Sequence, residues 1–206
     1  MRKPTPDGGP DRLLALSDGV FAIAITLLVL DLSVPRGLNS GQYDDALLDL
    51  LPNLGAYALS FLVLAGFWRD HLRIFRAVTQ VDGQVVSLCL LGLGIAALVP
   101  FPTALISEYA DKPASVALYS ATVAALGADH LALLLVLKRR PWLCGSASSR
   151  LESLSVLELA VTVTVFVITV PVALVTGPEV MWGWLVLLPV KVVLGRRERA
   201  GLSVSG

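Results

Sequence analysis

Apolar residues gather along this chain in long runs separated by short charged connections. A bilayer core of about 30 Å takes about 20 residues of helix. Six stretches meet that length: about 12–34, 51–75, 83–106, 114–137, 151–176 and 179–194. Pro35 and Gly37 end the first, and Lys138, Arg139 and Arg140 close the fourth. The fifth, "VTVTVFVITVPVALV", alternates valine and threonine with the period of a strand. Lipid offers no partners to an open backbone, which leaves only helices or closed barrels. Beside five helical runs a barrel is untenable, so the fifth is read as a helix kinked at Pro171. The sixth is the shortest and contains Pro189. The expected architecture is all-α: one transmembrane domain, residues 1–206, with six spans.

Inside the first run, Ile23, Leu27 and Leu30 recur at helical spacing, within about 60° of one another at 100° per residue. Leu16, Val20 and Val34 continue that stripe. Ser17 and Asp18 project away from it, Asp18 by about 140°. A carboxylate at membrane depth costs about 2.5 kcal/mol or more on insertion scales, so it calls for a partner. Trp68 and His71, three residues apart near the end of the second run, share a helix face and supply one. The expected arrangement is a hydrogen-bonded network of Ser17, Asp18, Trp68 and His71. By pattern alone the Ile/Leu stripe reads as an ordinary lipid-facing or packing surface. Asp129 and His130 form another buried polar pair, read either as a satisfied interhelical contact or as part of a proton relay.

Composition agrees with the pattern. Hydrophobic residues make up 55% of the 206 and charged residues only 16%, where soluble domains carry nearer a quarter; mean hydropathy is +0.76. Lysine and arginine orient the chain. Arg2, Lys3, Arg12, Arg69, Arg73, Arg76, Lys138, Arg139, Arg140, Arg150, Lys191, Arg196, Arg197 and Arg199 fall on one side, Arg36 and Lys112 on the other. Both termini are therefore expected in the cytoplasm. The short, proline-broken N-terminus lacks the features of a cleaved secretory signal. A formal net charge of +0 says nothing about nucleic acid, but the positives are not gathered into one basic face, and no nucleic-acid partner is expected.

Enzyme chemistry has few residues to work with. Two histidines and two cysteines do not make a metal site of familiar spacing. Phosphate loops, HExxH and GxSxG are missing. No cofactor is expected.

The stretch "RLLALSDGVFAIAITLLVLDL" resembles the RxxxFSDxxxA signature of the transmembrane protein 175 family of potassium channels. Arg12, Ser17, Asp18 and Ala22 match, and Leu16 stands where the family has phenylalanine. "FWRDHLRIF", with Trp68 and His71, resembles the family's second-span ending, and "LVPFPTALISEY" its third. Cys89 occupies the place of an expected asparagine. The resemblance implies a prokaryotic six-span form assembling as a homotetramer in the cell membrane. It further implies that the first span lines the pore, with Ile23, Leu27 and Leu30 as an apolar constriction and Thr26 beside them as a hydroxyl layer. The motif would hold that helix in register from behind. Without a TVGYG loop of carbonyls, weak to moderate preference for potassium among alkali metal cations is expected. The alternative is a proton-conducting or proton-coupled transporter using Asp18, His71, Asp129 and His130. A membrane protein without transport, in which the stripe merely packs, is the third reading.

Overall fold

The computed structural model describes residues 9–144, 156–179 and 184. It consists of α1 (Gly9–Leu27), a 3-10 turn (Leu28–Asp31), α2 (Ser40–Asp49), α3 (Leu51–Phe75), α4 (Gly83–Leu98), α5 (Pro100–Glu108) and α6 (Pro113–Arg139). A second 3-10 turn (Pro141–Leu143) and α7 (Val156–Thr176) complete it. No strand occurs among the described residues. Five stretches are long and apolar enough to cross a membrane: Gly9–Asp31, Ser40–Phe75, Gly83–Glu108, Pro113–Arg139 and Leu159–Thr176. The sixth expected span, about 179–194, lies outside the described residues apart from Glu179 and Trp184.

Local chemistry explains the boundaries. The first span tightens into the 3-10 turn after Leu27 and ends at Asp31 rather than continuing to Val34. The connection between α1 and α3 contains α2. Its start is a capping box in which Asn39 accepts from the Gln42 backbone N–H at 3.0 Å and the Asn39 N–H donates to Gln42 Oε1 at 3.1 Å. The third span breaks at Val99. Pro100 has no N–H for the Ala96 carbonyl, which takes the N–H of Val99 at 3.2 Å instead.

The Val/Thr run is helical. Thr164, Thr169 and Thr176 donate their hydroxyls to the carbonyls of Ala160, Val165 and Val172 at 2.8, 2.9 and 2.9 Å. Threonines satisfied within their own helix carry no need for a strand partner.

Helices α1, α4 and α6 pack in sequence, with α3 and α5 closing the other side and α7 along α6. In lipid, such contacts are held by close van der Waals packing and interhelical hydrogen bonds. The Thr103, Ser60 and Tyr119 hydroxyls run in line, 2.8 and 3.2 Å apart, and tie α5 to α3 and α6. The Tyr119 ring also lies tilted against Phe166 of α7 at 6.4 Å and against Trp184 at 5.1 Å.

Candidate functional site: the two faces of the first helix

Helix α1 is divided lengthwise. Ser17, Phe21, Ala24 and Leu28 point into the bundle and are buried. On the opposite side Ile23 is 61% exposed, Leu27 41% and Leu30 70%, with Thr26 exposed among them. The 3-10 turn matters here, because residues three apart eclipse one another in that geometry. It sets Leu30 above Leu27 while sending Leu28 into the core, where a continued α-helix would let Leu30 drift around the axis. Val20 is half-buried, and Val34 lies beyond the helix end, so neither extends the stripe.

Behind the helix, the polar residues separate into two contacts. Ser17 donates to its own Leu13 carbonyl at 2.7 Å. With its proton so used, its Oγ accepts from His71 Nε2, 2.8 Å away. Cys89 on α4 closes the group, its sulfur 3.8 Å from Ser17 Oγ and 4.0 Å from His71 Nε2. His71 stacks on Phe75 at 4.5 Å, lies 6.0 Å from Phe21 and meets His130 edge-on at 5.5 Å. The second contact lies on the exposed flank, where Trp68 Nε1 donates to Asp18 Oδ1 at 2.8 Å. The expected network of four thus resolves into two pairs, both joining α1 to α3. Arg12 and Ala22 are exposed and stand outside these contacts.

Deeper in the bundle, Asp129 and His130 diverge. His130 Nδ1 donates to the Leu126 carbonyl at 3.0 Å, and its ring packs on Phe67 at 5.2 Å. Asp129 turns toward α4, where its Oδ2 occupies the space a side chain at Gly92 would fill. Its Oδ1 finds no partner among the described residues. The sequence offered no sign that Gly92 is the other half of this contact. Among the described residues, no group of three or more histidine, cysteine or acidic side chains is placed to hold a metal ion.

This is a polytopic helical membrane protein whose first helix is anchored on one face and open, apolar and unpartnered on the other. The family model "Endosomal/lysosomal potassium channel TMEM175" matches residues 12–100, the stretch that forms this helix and its anchors. Over those residues, less than half of its length, the chain is similar to that family of ion channels. A potassium channel of Streptomyces collinus is 43% identical over 126 residues, covering 59% of this chain and 61% of that protein. The endosomal/lysosomal proton channel TMEM175 of Mus musculus is 26% identical over 117 residues, covering 56% and 23%. The chain thus spans less than two thirds of either relative's length. The crystal structure of a lysosomal potassium-selective channel TMEM175 homolog from Chamaesiphon minutus aligns with a TM-score of 0.70 at 26% identity, covering 92% of this chain and 97% of that one. Bacterial relatives and several membrane-length helices are consistent with a multi-pass plasma membrane protein.

Proposed function

We propose that the chain is one subunit of a homotetrameric potassium channel in a prokaryotic plasma membrane, with six spans, both termini in the cytoplasm and residues 1–206 as one channel domain. Four copies of α1 surround the pore. Ile23, Leu27 and Leu30 form its constriction, Thr26 flanks it, and alkali metal cations pass without a cofactor. One observation carries this reading: large apolar side chains lie open on one face of a helix whose other face is hydrogen-bonded and packed into the bundle. The neighbouring flank bears Gly19, where a Cβ would meet nothing, and exposed Ala22. Small residues there let an adjoining helix approach closely.

A ring of isoleucine and leucine offers ions no ligands and gates by dewetting. Potassium sheds part of its hydration more readily than sodium, which yields a weak to moderate preference. The Thr26 hydroxyl donates to the Ile23 carbonyl at 2.9 Å, so its oxygen lone pairs remain available to a passing cation. Purified protein in planar bilayers is expected to pass ohmic potassium current, with conductance or selectivity altered by Leu27→Ala and Ile23→Asn. Unaltered currents in both folded variants, or failure of a Leu27→Cys variant to cross-link between subunits, would overturn the assignment.

A second reading, proton conduction, is favoured by one feature. The His71 and His130 rings meet in a T-shaped arrangement, 5.5 Å between centroids, with the buried Asp129 carboxyl beside His130 in sequence. Liposomes under a proton gradient separate the two: proton flux lost in His71→Phe with potassium current retained would support it.

A further inference from the structure

The basic end of α6 carries a surface that the pore does not use. The Leu143 carbonyl accepts from the Thr79 N–H at 2.9 Å, the Gln80 N–H at 3.0 Å and the Thr79 hydroxyl at 3.0 Å. A carbonyl oxygen with three donors is saturated, and it locks the Pro141–Leu143 turn to the connection between α3 and α4. Arg140 fastens the same turn from the other side, through Asp82 and through Gln84 Oε1 at 2.7 Å. Leu143 and Cys144 are buried beneath.

This anchoring holds Trp142 outward, 61% exposed. Arg139 is exposed on the last turn of α6, and Arg76 is exposed three residues before Thr79. The charge of Arg140 is engaged by Asp82 and that of Arg73 by Asp70 at 3.5 Å. Among the described residues, neither Arg76 nor Arg139 forms an ion pair. Leu135, one turn before Arg139, is exposed as well. Along α6 the surface therefore passes from aliphatic Leu135 to cationic Arg139, and the anchored turn presents an exposed indole just beyond the helix end. An indole held open to water is unfavourable, whereas tryptophan is at home at the headgroup level of a bilayer.

We propose that Arg76, Arg139 and Trp142 form a binding site for an anionic phospholipid of the basic-side leaflet. The two guanidinium groups hold its phosphate with charge-assisted, bidentate hydrogen bonds. The indole packs on the glycerol and upper acyl region. The site is independent of the pore reading, and its test measures lipid rather than current.

Full-length protein in nanodiscs containing equal phosphatidylglycerol and phosphatidylcholine is extracted, and retained lipid is counted by native mass spectrometry. The wild type is expected to keep phosphatidylglycerol preferentially. Arg76→Gln with Arg139→Gln should lower that retention about twenty-five-fold, about fivefold for each arginine. Arg69→Gln, on the same basic end, should leave it unchanged, and soluble glycerol phosphate should not displace the lipid. Brominated phosphatidylglycerol should quench wild-type fluorescence more than that of Trp142→Phe, a reading that needs no arginine variant to fold. Equal retention in the double variant, an equal loss in Arg69→Gln, displacement by glycerol phosphate, or unchanged quenching in Trp142→Phe would each overturn the assignment.

Discussion

The indole N–H of Trp68 donates to the carboxylate of Asp18 across 2.8 Å, joining α3 to the open flank of α1. This bond lies on an exposed flank of the helix, well around from the Ile23, Leu27 and Leu30 stripe, whereas Ser17 and His71 hold the buried side of the same turn. Two hydrogen bonds from adjacent residues, pointing about 100° apart on the helix, fix its rotation about its own axis. Rotation decides which side chains point away from the bundle, so these bonds determine which face is left open.

Trp68→Phe removes the donor and leaves the carboxylate without it. A hydrogen bond to a charged group contributes about 1.5–3 kcal/mol, and partial exposure places this one at the lower end. Asp18→Asn retains an oxygen acceptor for the indole and is expected to cost less. Thermal unfolding in detergent should rank the variants wild type, Asp18→Asn, Trp68→Phe in falling stability. An Asp18→Asn loss as large as that of Trp68→Phe would assign the contribution to charge rather than to the bond.

Ser17→Ala empties the acceptor position of a fully buried imidazole N–H. Leaving a buried donor unsatisfied costs about 1–3 kcal/mol, and Cys89, 4.0 Å from the same nitrogen, is a weak substitute. Adding Cys89→Ser to Ser17→Ala brings a stronger acceptor near His71 and should recover part of the loss. A double-mutant cycle measures the recovery, and strict additivity would show that Cys89 does not communicate with His71.

Much of this was legible in the chain. The second span was expected at 51–75 and α3 covers those residues, because Pro52 near the start and a polar "RDHLR" stretch near the end bracket one apolar run. The Ile23/Leu27/Leu30 stripe followed from spacing, but not its exposure, since periodicity marks a shared face and says nothing of what covers it. Helix α2 escaped because its composition is mixed and only the Asn39–Gln42 cap marks it. The four-residue network divided because Ser17 and Asp18 are consecutive: their side chains diverge by about 100° on the helix, so each reaches a different residue of α3. Gly92 escaped for another reason: a glycine's role here lies in the side chain that enters its space from a helix far along the sequence.

The cap of α4 sets a pH dependence outside the membrane. Asp82 accepts from the Val85 N–H at 2.9 Å and also bonds Arg140; the backbone hydrogen bond first, then the arginine, holds its carboxyl below the usual aspartate range. A depressed folded-state value means the stabilisation is present above the unfolded value and is lost as pH falls through the folded one. Unfolding in detergent should therefore show stability declining below about pH 4. In Asp82→Asn that part of the decline should vanish, while stability at neutral pH drops by less than about 1 kcal/mol, for the lost ion pair with Arg140, since asparagine caps a helix as well as aspartate. An identical acid limb in wild type and variant would place the titration elsewhere.

Gly92 and Asp129 make the sharpest structural test. A Cβ built at position 92 would lie 2.2 Å from Asp129 Oδ2 and 3.1 Å from its Cγ, closer than nonbonded atoms approach. The carboxyl cannot retreat freely, because Asp129 is buried between α4 and α6 and its side chain is short. Gly92→Ala alone should cost about 1–3 kcal/mol, the usual range for overfilling a packed interior, despite the better helix propensity of alanine. Asp129→Ala alone opens the space. Combined, the new methyl fills what the carboxyl vacated, so the double variant should be more stable than Gly92→Ala by at least as much as that substitution cost. Thermal stability of the four proteins in one detergent reads the coupling directly. A double variant no better than Gly92→Ala would show that the two helices do not meet at this pair.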